Sequence, residues 1–197
     1  MVPLAGKPLL EYQVEVAKRA GCTAITMLTG YEAETIEHYF QDGRRWGVQI
    51  SYHRETHACG TAGAVKALEG QLCGPFLVFY GDLMMDLDLE ALIAAHRPEA
   101  TATLVVHPSD HPFDSDLIEV DAQGRIVGFH HPPHHTGAYR NLVNAGIYVL
   151  SPRILTHIPP DRASDFGLEV FPATLKAGER LDAYRTTEYV KDVGTPT

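Results

Sequence analysis

Cysteine is scarce in this chain: Cys22, Cys59 and Cys73 are the only three among 197 residues. An odd number without metal-ligand spacing excludes a disulfide scaffold and a cysteine-built zinc site, and it reads as reduced thiols in a cytoplasmic protein. Positive charge is also short, with 16 Lys and Arg against 25 Asp and Glu and a net charge of −9. That balance disfavours polyanions, so no nucleic-acid partner is expected. No apolar run reaches the ~18 residues of a membrane span, and Met1-Val2-Pro3-Leu4 opens no signal peptide. A membrane partner is therefore not expected either. Low-complexity linkers and internal repeats are missing, which favours one domain over residues 1–197. There is no Walker A loop, no G-x-G-x-x-G and no Ser-His-Asp arrangement, so dinucleotide and hydrolase readings have no support.

What is present is a 45% hydrophobic composition, ample for a core. Leu9, Tyr12, Val16 and Ala20 lie at helical spacing ahead of Gly21. Ala24–Thr29 reads as a strand, 33–40 as a helix, Val48–Tyr52 as a strand and Thr61–Glu69 as a helix. Phe76–Tyr80 is a continuous apolar run closed by Gly81-Asp82. Buried parallel strands have that form because helices cover both faces of the sheet. Thr101–Val106, Ala145–Leu150 and Leu181–Arg185 read as further strands, and Leu168–Ala177 as a helix. Leu117–Val120 and Arg125–Phe129 flank Asp121-Ala122-Gln123-Gly124, a hairpin signature. The expected architecture is α/β, a doubly wound, mostly parallel mixed sheet with helices on both faces and a β-hairpin insertion.

In open α/β sheets ligands lie beyond the carboxyl ends of strands. Asp82 follows such an end, after Gly81, whose missing side chain lets a ligand approach the backbone. Gly81-Asp82 reads either as an ordinary turn or as a carboxylate able to hold Mg²⁺. Lys191-Asp192-Val193-Gly194-Thr195-Pro196 is either a turn or the second carboxylate of such a site, with Lys191 neutralising phosphate charge. Glu55 leads into Gly60-Thr61-Ala62-Gly63 at a helix start. Those small residues either let backbone N–H groups face a nucleotide, or Thr61 caps its helix. His130-His131-Pro132-Pro133-His134-His135 reads as a solvated loop on the substrate side or as a transition-metal site.

The order of these pieces matters more than any one of them. The segments Met1–Tyr12, Gly60–Gly63, Gly81-Asp82, Asn144-Ala145-Gly146-Ile147-Tyr148, Val170-Phe171-Pro172 and Asp192–Pro196 resemble the sugar-1-phosphate nucleotidyltransferases. The chain looks most like the mannose-1-phosphate guanylyltransferases. Asn141–Gly146 and Glu188–Asp192 lean towards the D-glycero-manno-heptose 1-phosphate branch. The resemblance implies a Rossmann-like nucleotide-diphospho-sugar transferase fold. It also implies attack of a sugar 1-phosphate on the α-phosphate of a nucleoside triphosphate, GTP favoured, with loss of pyrophosphate. Asp82 and Asp192 would hold Mg²⁺ and Lys191 would face the phosphate. Glu55, Gly60, Thr61, Ala62, Gly63 and Gly81 would serve the nucleotide, while Asn144, Gly146 and Glu169 would serve the sugar phosphate.

The chain departs from that family at four places. A first strand and a Gly-x-Gly-Thr-Arg loop, followed by Pro-Lys, normally precede the segment matching Met1–Leu4 and are missing here. His131-Pro132-Pro133 stands where Glu-Lys-Pro or Pro-Lys-Pro is usual. Leu168-Glu169 replaces a basic residue and an Asp, and the C-terminus stops where a helix usually follows. These departures predict little turnover by the 197 residues alone. Three readings follow: part of a complete enzyme begun at an internal Met, a nucleotide or sugar-phosphate binding module, or a scaffold subunit whose missing strand comes from a partner. An open central strand edge also favours homo-oligomers.

Overall fold

The computed structural model describes residues 1, 3–109, 112–113, 115–134, 140–160 and 162–194. Two short strands, β1 (Pro3–Leu4) and β2 (Lys7–Pro8), lead into helix α1 (Leu9–Arg19). There follow β3 (Ala24–Thr29), α2 (Ala33–Phe40), β4 (Gln49–Arg54), α3 (Gly60–Lys66), β5 (Phe76–Phe79), β6 (Leu83–Asp86), α4 (Leu89–Ala95) and β7 (Ala102–His107). Strands β8 (Leu117–Val120), β9 (Ile126–His130) and β10 (Val143–Leu150) precede α5 (Phe171–Lys176), β11 (Leu181–Arg185) and β12 (Tyr189–Asp192). Contacts group them into two compact units, one of Met1–Cys59, Gly81–Ala91 and Glu188–Thr197, the other of Gly60–Tyr80 and Leu92–Thr187.

In the first unit β3 and β4 pair in parallel, Ile25 opposite Ile50. Val14, Phe40, Trp46, Val48 and Ile50 form its core, with the Phe40 and Trp46 rings 4.9 Å apart. Burying each such side chain contributes roughly 1.5–3 kcal/mol. A separate antiparallel pair joins β6 to β12, with Leu83 opposite Asp192. Helix α1 is tied to this pair by a buried amide: Gln13 Nε2 donates to the Leu83 carbonyl at 2.7 Å.

The second unit is built on a six-stranded sheet in the order β11-β7-β10-β8-β9, with β5 also on β10. The α/β class and the mixed sheet agree with the sequence reading, but strand direction does not. Only β11 with β7 runs parallel in this sheet; β10 is antiparallel to β5, β7 and β8, and β8 to β9. The continuous apolar run at Phe76–Tyr80 predicts a buried parallel strand, yet β5 there is antiparallel to β10. Ala102, Leu104, Val105 and Val106 of β7 are buried, as are Ile147–Leu150 of β10. Burial on both faces, rather than direction, makes these runs apolar.

The expected helix from Leu168 begins differently. A wide π-type turn covers Phe166–Val170, and only then does α5 start. Pro172 has no N–H for a helical bond back to Leu168, which breaks the ladder there. The aromatic rings of Tyr148, Phe166 and Phe171 meet beneath this turn, Tyr148 and Phe171 at 4.9 Å edge to face.

Candidate functional site

Each unit carries a cluster of the residues singled out above. In the first, antiparallel pairing of β6 with β12 brings Asp82, just ahead of β6, to Asp192 at the end of β12. The Val193 N–H donates to the Asp82 carbonyl at 2.9 Å, and the Gly194 N–H to Asp192 Oδ1 at 2.7 Å. Gly194 lies between the two carboxylates. A Cβ there would stand 2.7 Å from Asp82 Oδ2 and 3.1 Å from Asp192 Oδ1. Both acidic side chains thus border one point, and neither makes an ion pair among the described residues. Partial desolvation, and then the charge of Asp192, push the Asp82 carboxyl above its ordinary range. The two carboxylates fit a divalent cation that takes its other ligands from phosphate and water. No cluster of three or more His, Cys, Asp or Glu able to hold a metal occurs among the described residues.

Gly81 sits against α1, where a Cβ would meet Leu10 Cδ2 at 3.3 Å. Lys191 is exposed, opposite Met84 in the strand pair, and successive strand residues point to opposite sides, so it faces away from the Asp192 side. Glu55 accepts the Cys59 N–H at 3.1 Å, while its own N–H donates to the Thr29 carbonyl at 2.8 Å. These bonds pin the Glu55–Cys59 segment to the end of β3.

In the second unit the amides expected to face a nucleotide are used within the chain. Ala62 and Gly63 N–H both donate to the Ser164 carbonyl, at 3.0 and 3.3 Å. Gly60 has φ +73° and a Cβ there would stand 2.5 Å from that carbonyl oxygen, so glycine is required twice over. Thr61 lies inside α3 and does not cap it. Its hydroxyl donates to Asp165 Oδ2 at 2.7 Å and accepts the Phe166 N–H at 3.0 Å.

Asn144 stands at the start of β10, its amide held at both ends. Nδ2 donates to the Tyr148 hydroxyl at 2.8 Å, and Oδ1 accepts the Gly146 N–H at 3.1 Å. Gly146, at φ +72°, makes the bulge that shifts the β10–β7 register between Asn144 and Tyr148. The Tyr148 hydroxyl in turn donates to the hydroxyl of half-buried Tyr80 at 3.2 Å. Burial drives the Tyr148 hydroxyl well above the usual phenol range, so it stays a neutral donor and acceptor. Glu169, expected at sugar hydroxyls, is instead paired with Arg162.

Sequence reasoning missed Gln13, Asp116 and Asp165, which have no periodicity to mark them and act only once the fold gathers them. Asp165 caps the wide turn through Leu168 N–H at 2.9 Å while holding Thr61. Of the histidine run, His130 meets Glu119 at 3.0 Å, His131 meets Asp116 at 2.8 Å, and His134 Nε2 donates to the Ser115 carbonyl at 2.9 Å. His135, Val2 and Thr195–Thr197 lie outside the described residues. No helix among the described residues is long and apolar enough to cross a membrane.

The sequence profile described as nucleotidyl transferase matches residues 1–197. A UTP–glucose-1-phosphate uridylyltransferase from Synechocystis sp. is 32% identical over 195 residues, covering 90% of this chain and 50% of the relative. A mannose-1-phosphate guanylyltransferase from Mycobacterium tuberculosis is 32% identical over 203 residues, covering 100% of this chain and 55% of the relative. The chain thus spans about half the length of the curated relatives it matches. The crystal structure of HddC from Yersinia pseudotuberculosis complexed with GMP-PN superposes with a TM-score of 0.82 at 23% identity, covering 100% of this chain and 84% of that one. At that identity the likeness establishes the fold.

Proposed function

The chain belongs to the nucleotidyl transferase family, and we propose that it binds GTP with Mg²⁺ and a sugar 1-phosphate of the mannose or heptose type in the cytoplasm. The reaction this reading assigns is nucleotidyl transfer. A phosphate oxygen of the sugar 1-phosphate attacks the α-phosphorus of the triphosphate, a new P–O bond forms, and the bond to the β-phosphate bridge breaks with pyrophosphate leaving. The observation that carries the reading is the convergence of Asp82 and Asp192 on Gly194.

Mg²⁺, when bound, would neutralise phosphate charge and orient the triphosphate. Asp82 and Asp192 would hold it, and Gly194 leaves the space their carboxylates need. Lys191, exposed beside them in sequence, would meet phosphate from the other side of the strand. Gly60, Thr61, Ala62 and Gly63, at the start of α3, would present a small-residue surface to the nucleotide, and in the first unit Glu55 and Gly81 are assigned to the nucleotide as well. Asn144 and Gly146 would contact the sugar phosphate from a bulge whose geometry is fixed in advance. Glu169 would reach a hydroxyl only by leaving Arg162. The guanine preference rests on the sequence resemblance and on the mannose-1-phosphate guanylyltransferase relatives. Free Cys22, Cys59 and Cys73 support the cytoplasmic assignment. Self-association is part of the reading as well, since β3 pairs only with β4 and β5 only with β10 among the described residues.

Equilibrium titration of the chain with GTP in the presence and absence of Mg²⁺ tests this. The expected result is Mg²⁺-dependent GTP binding, weakened about tenfold or more in both Asp82→Asn and Asp192→Asn. GTP binding that ignores Mg²⁺ and both substitutions would overturn the reading.

A further inference from the structure

Gly167 is buried and has no positive φ, so its missing side chain serves space rather than backbone conformation. The space is polar. A Cβ at Gly167 would lie 3.4 Å from Asp165 Oδ1, 3.5 Å from Asn144 Nδ2 and 3.7 Å from Asp116 Oδ2. Three side-chain atoms from three distant segments therefore face one spot. Asp165 Oδ1 already accepts the Leu168 N–H, and Asn144 Nδ2 already donates one hydrogen to Tyr148. Asp116 Oδ2 has no hydrogen-bond partner among the described residues.

Asp116 is nevertheless held firmly. Its Oδ1 meets His131 Nδ1 at 2.8 Å, and the residue before it, Ser115, is fastened through its carbonyl by His134. Both side chains of the Asp116–His131 pair keep about a third of their surface open, at 32% and 35%. With a carboxylate as acceptor, His131 presents Nδ1–H to Asp116 and leaves Nε2 outward. The result is an oriented carboxylate whose second oxygen is unspent, next to an amide with one hydrogen to give. Carboxylate and amide side by side are the acceptor and donor that a ring hydroxyl needs.

We propose that Asp116, positioned by His131, recognises a hydroxyl of the sugar in the sugar 1-phosphate, with Asn144 completing the contact. This rests on the reading above that Asn144 faces the sugar. Asp116 touches the ligand, whereas His131 acts through Asp116 as a positioning residue. The assignment gives two members of the histidine run a role: His131 and His134 set the Ser115–Asp116 segment in place.

The test is calorimetric titration of the whole chain with mannose 1-phosphate and its 2-, 3-, 4- and 6-deoxy analogues, with GTP titration as a check that each variant is folded. Asp116→Asn should weaken mannose 1-phosphate about tenfold or more, as befits loss of a hydrogen bond to a charged acceptor. One deoxy analogue should bind the wild type and Asp116→Asn almost equally, because the recognised hydroxyl is gone. His131→Asn, which retains a donor towards Asp116, should bind nearly as well as the wild type, and His131→Ala should not. Equal loss across the parent and all four analogues, or no loss, overturns the Asp116 assignment alone. If the unmodified chain binds GTP yet none of the sugar phosphates, the acceptor part of the proposed function falls together with this inference.

Discussion

Asp82 and Asp192 border one point at Gly194 without an ion pair among the described residues. In the other unit Asp165 accepts from Thr61 and the Leu168 N–H, Glu169 pairs with Arg162, and Asp116 meets His131. The first cluster is left electrostatically unbalanced, and its balance must come from outside. In the second cluster partners within the chain already compensate the carboxylates, leaving single polar atoms free to choose among neutral hydroxyls. One arrangement suits a cation and the phosphates it carries. The other suits a ligand selected by shape and hydrogen bonding.

The comparison breaks most sharply on metal removal. Chelation with EDTA should lower GTP affinity by about a hundredfold while changing mannose 1-phosphate affinity much less, both read by calorimetry. Equal losses would mean that the two clusters do not differ in kind. Next in size is Gly194→Ala. Its Cβ would stand 2.7 Å from Asp82 Oδ2, so that carboxylate must swing away from Asp192. Mg²⁺-dependent GTP affinity should fall about tenfold, with little change in melting temperature at an exposed position.

In the second unit the same kind of perturbation should act on stability first. Asp165→Asn leaves the Thr61 hydroxyl and the turn before α5 with a weaker acceptor, which costs about 1–3 kcal/mol. For a chain of this length that is a fall of about 2–12 °C in the melting temperature, measured by calorimetry. Tyr148→Phe keeps the ring that packs on Phe166 and Phe171 but removes the hydroxyl between Asn144 and Tyr80. It should cost about 1 kcal/mol, or some 2–4 °C, and raise the Kd for mannose 1-phosphate without touching GTP. A variant that melts earlier and binds both ligands normally would separate the hydroxyl from the site.

How much of this was legible in advance depended on whether a feature is local. The span of β3 follows from a short apolar run rich in β-formers and closed by Gly30, and α2 from Ile36 and Phe40 on one face. Strands β6 and β12 went unread because Leu83–Asp86 and Tyr189–Asp192 are short, and only their pairing with each other marks them as strands. Their union is what brings Asp192 to Asp82; the strand-end positions made the carboxylate pair one of two open readings, and the resemblance chose it. Strand direction was misjudged because an apolar run reports burial on two faces and is silent about its neighbours. Asp116, Asp165 and Gly167 could not be found from spacing at all, since they come together only through the turn that Pro172 interrupts.

The smallest effect concerns the proton on Asp82. Its carboxyl is raised above the ordinary value of 3.8 by desolvation and by Asp192. The folded chain therefore keeps this proton to a higher pH than the unfolded chain does. In the window between 3.8 and that raised value the folded state binds more protons, so stability falls as pH rises. The contribution is fully present below the unfolded value and is lost as pH climbs through the folded one. Asp82→Asn cannot ionise and escapes that loss. Solvent reaches Asp82 and screens much of the repulsion, so the variant should melt only about 1–2 °C above the wild type at pH 7 without metal. The gap should narrow as pH is lowered towards 4, where the protonated Asp82 carboxyl is neutral like the amide that replaces it. Saturating Mg²⁺ and GTP should reverse the order, because the wild type, binding more tightly, gains more ligand stabilisation. A variant that melts below the wild type at neutral pH without metal would show that Asp82 is already compensated inside the chain, and the contrast between the two clusters would go with it.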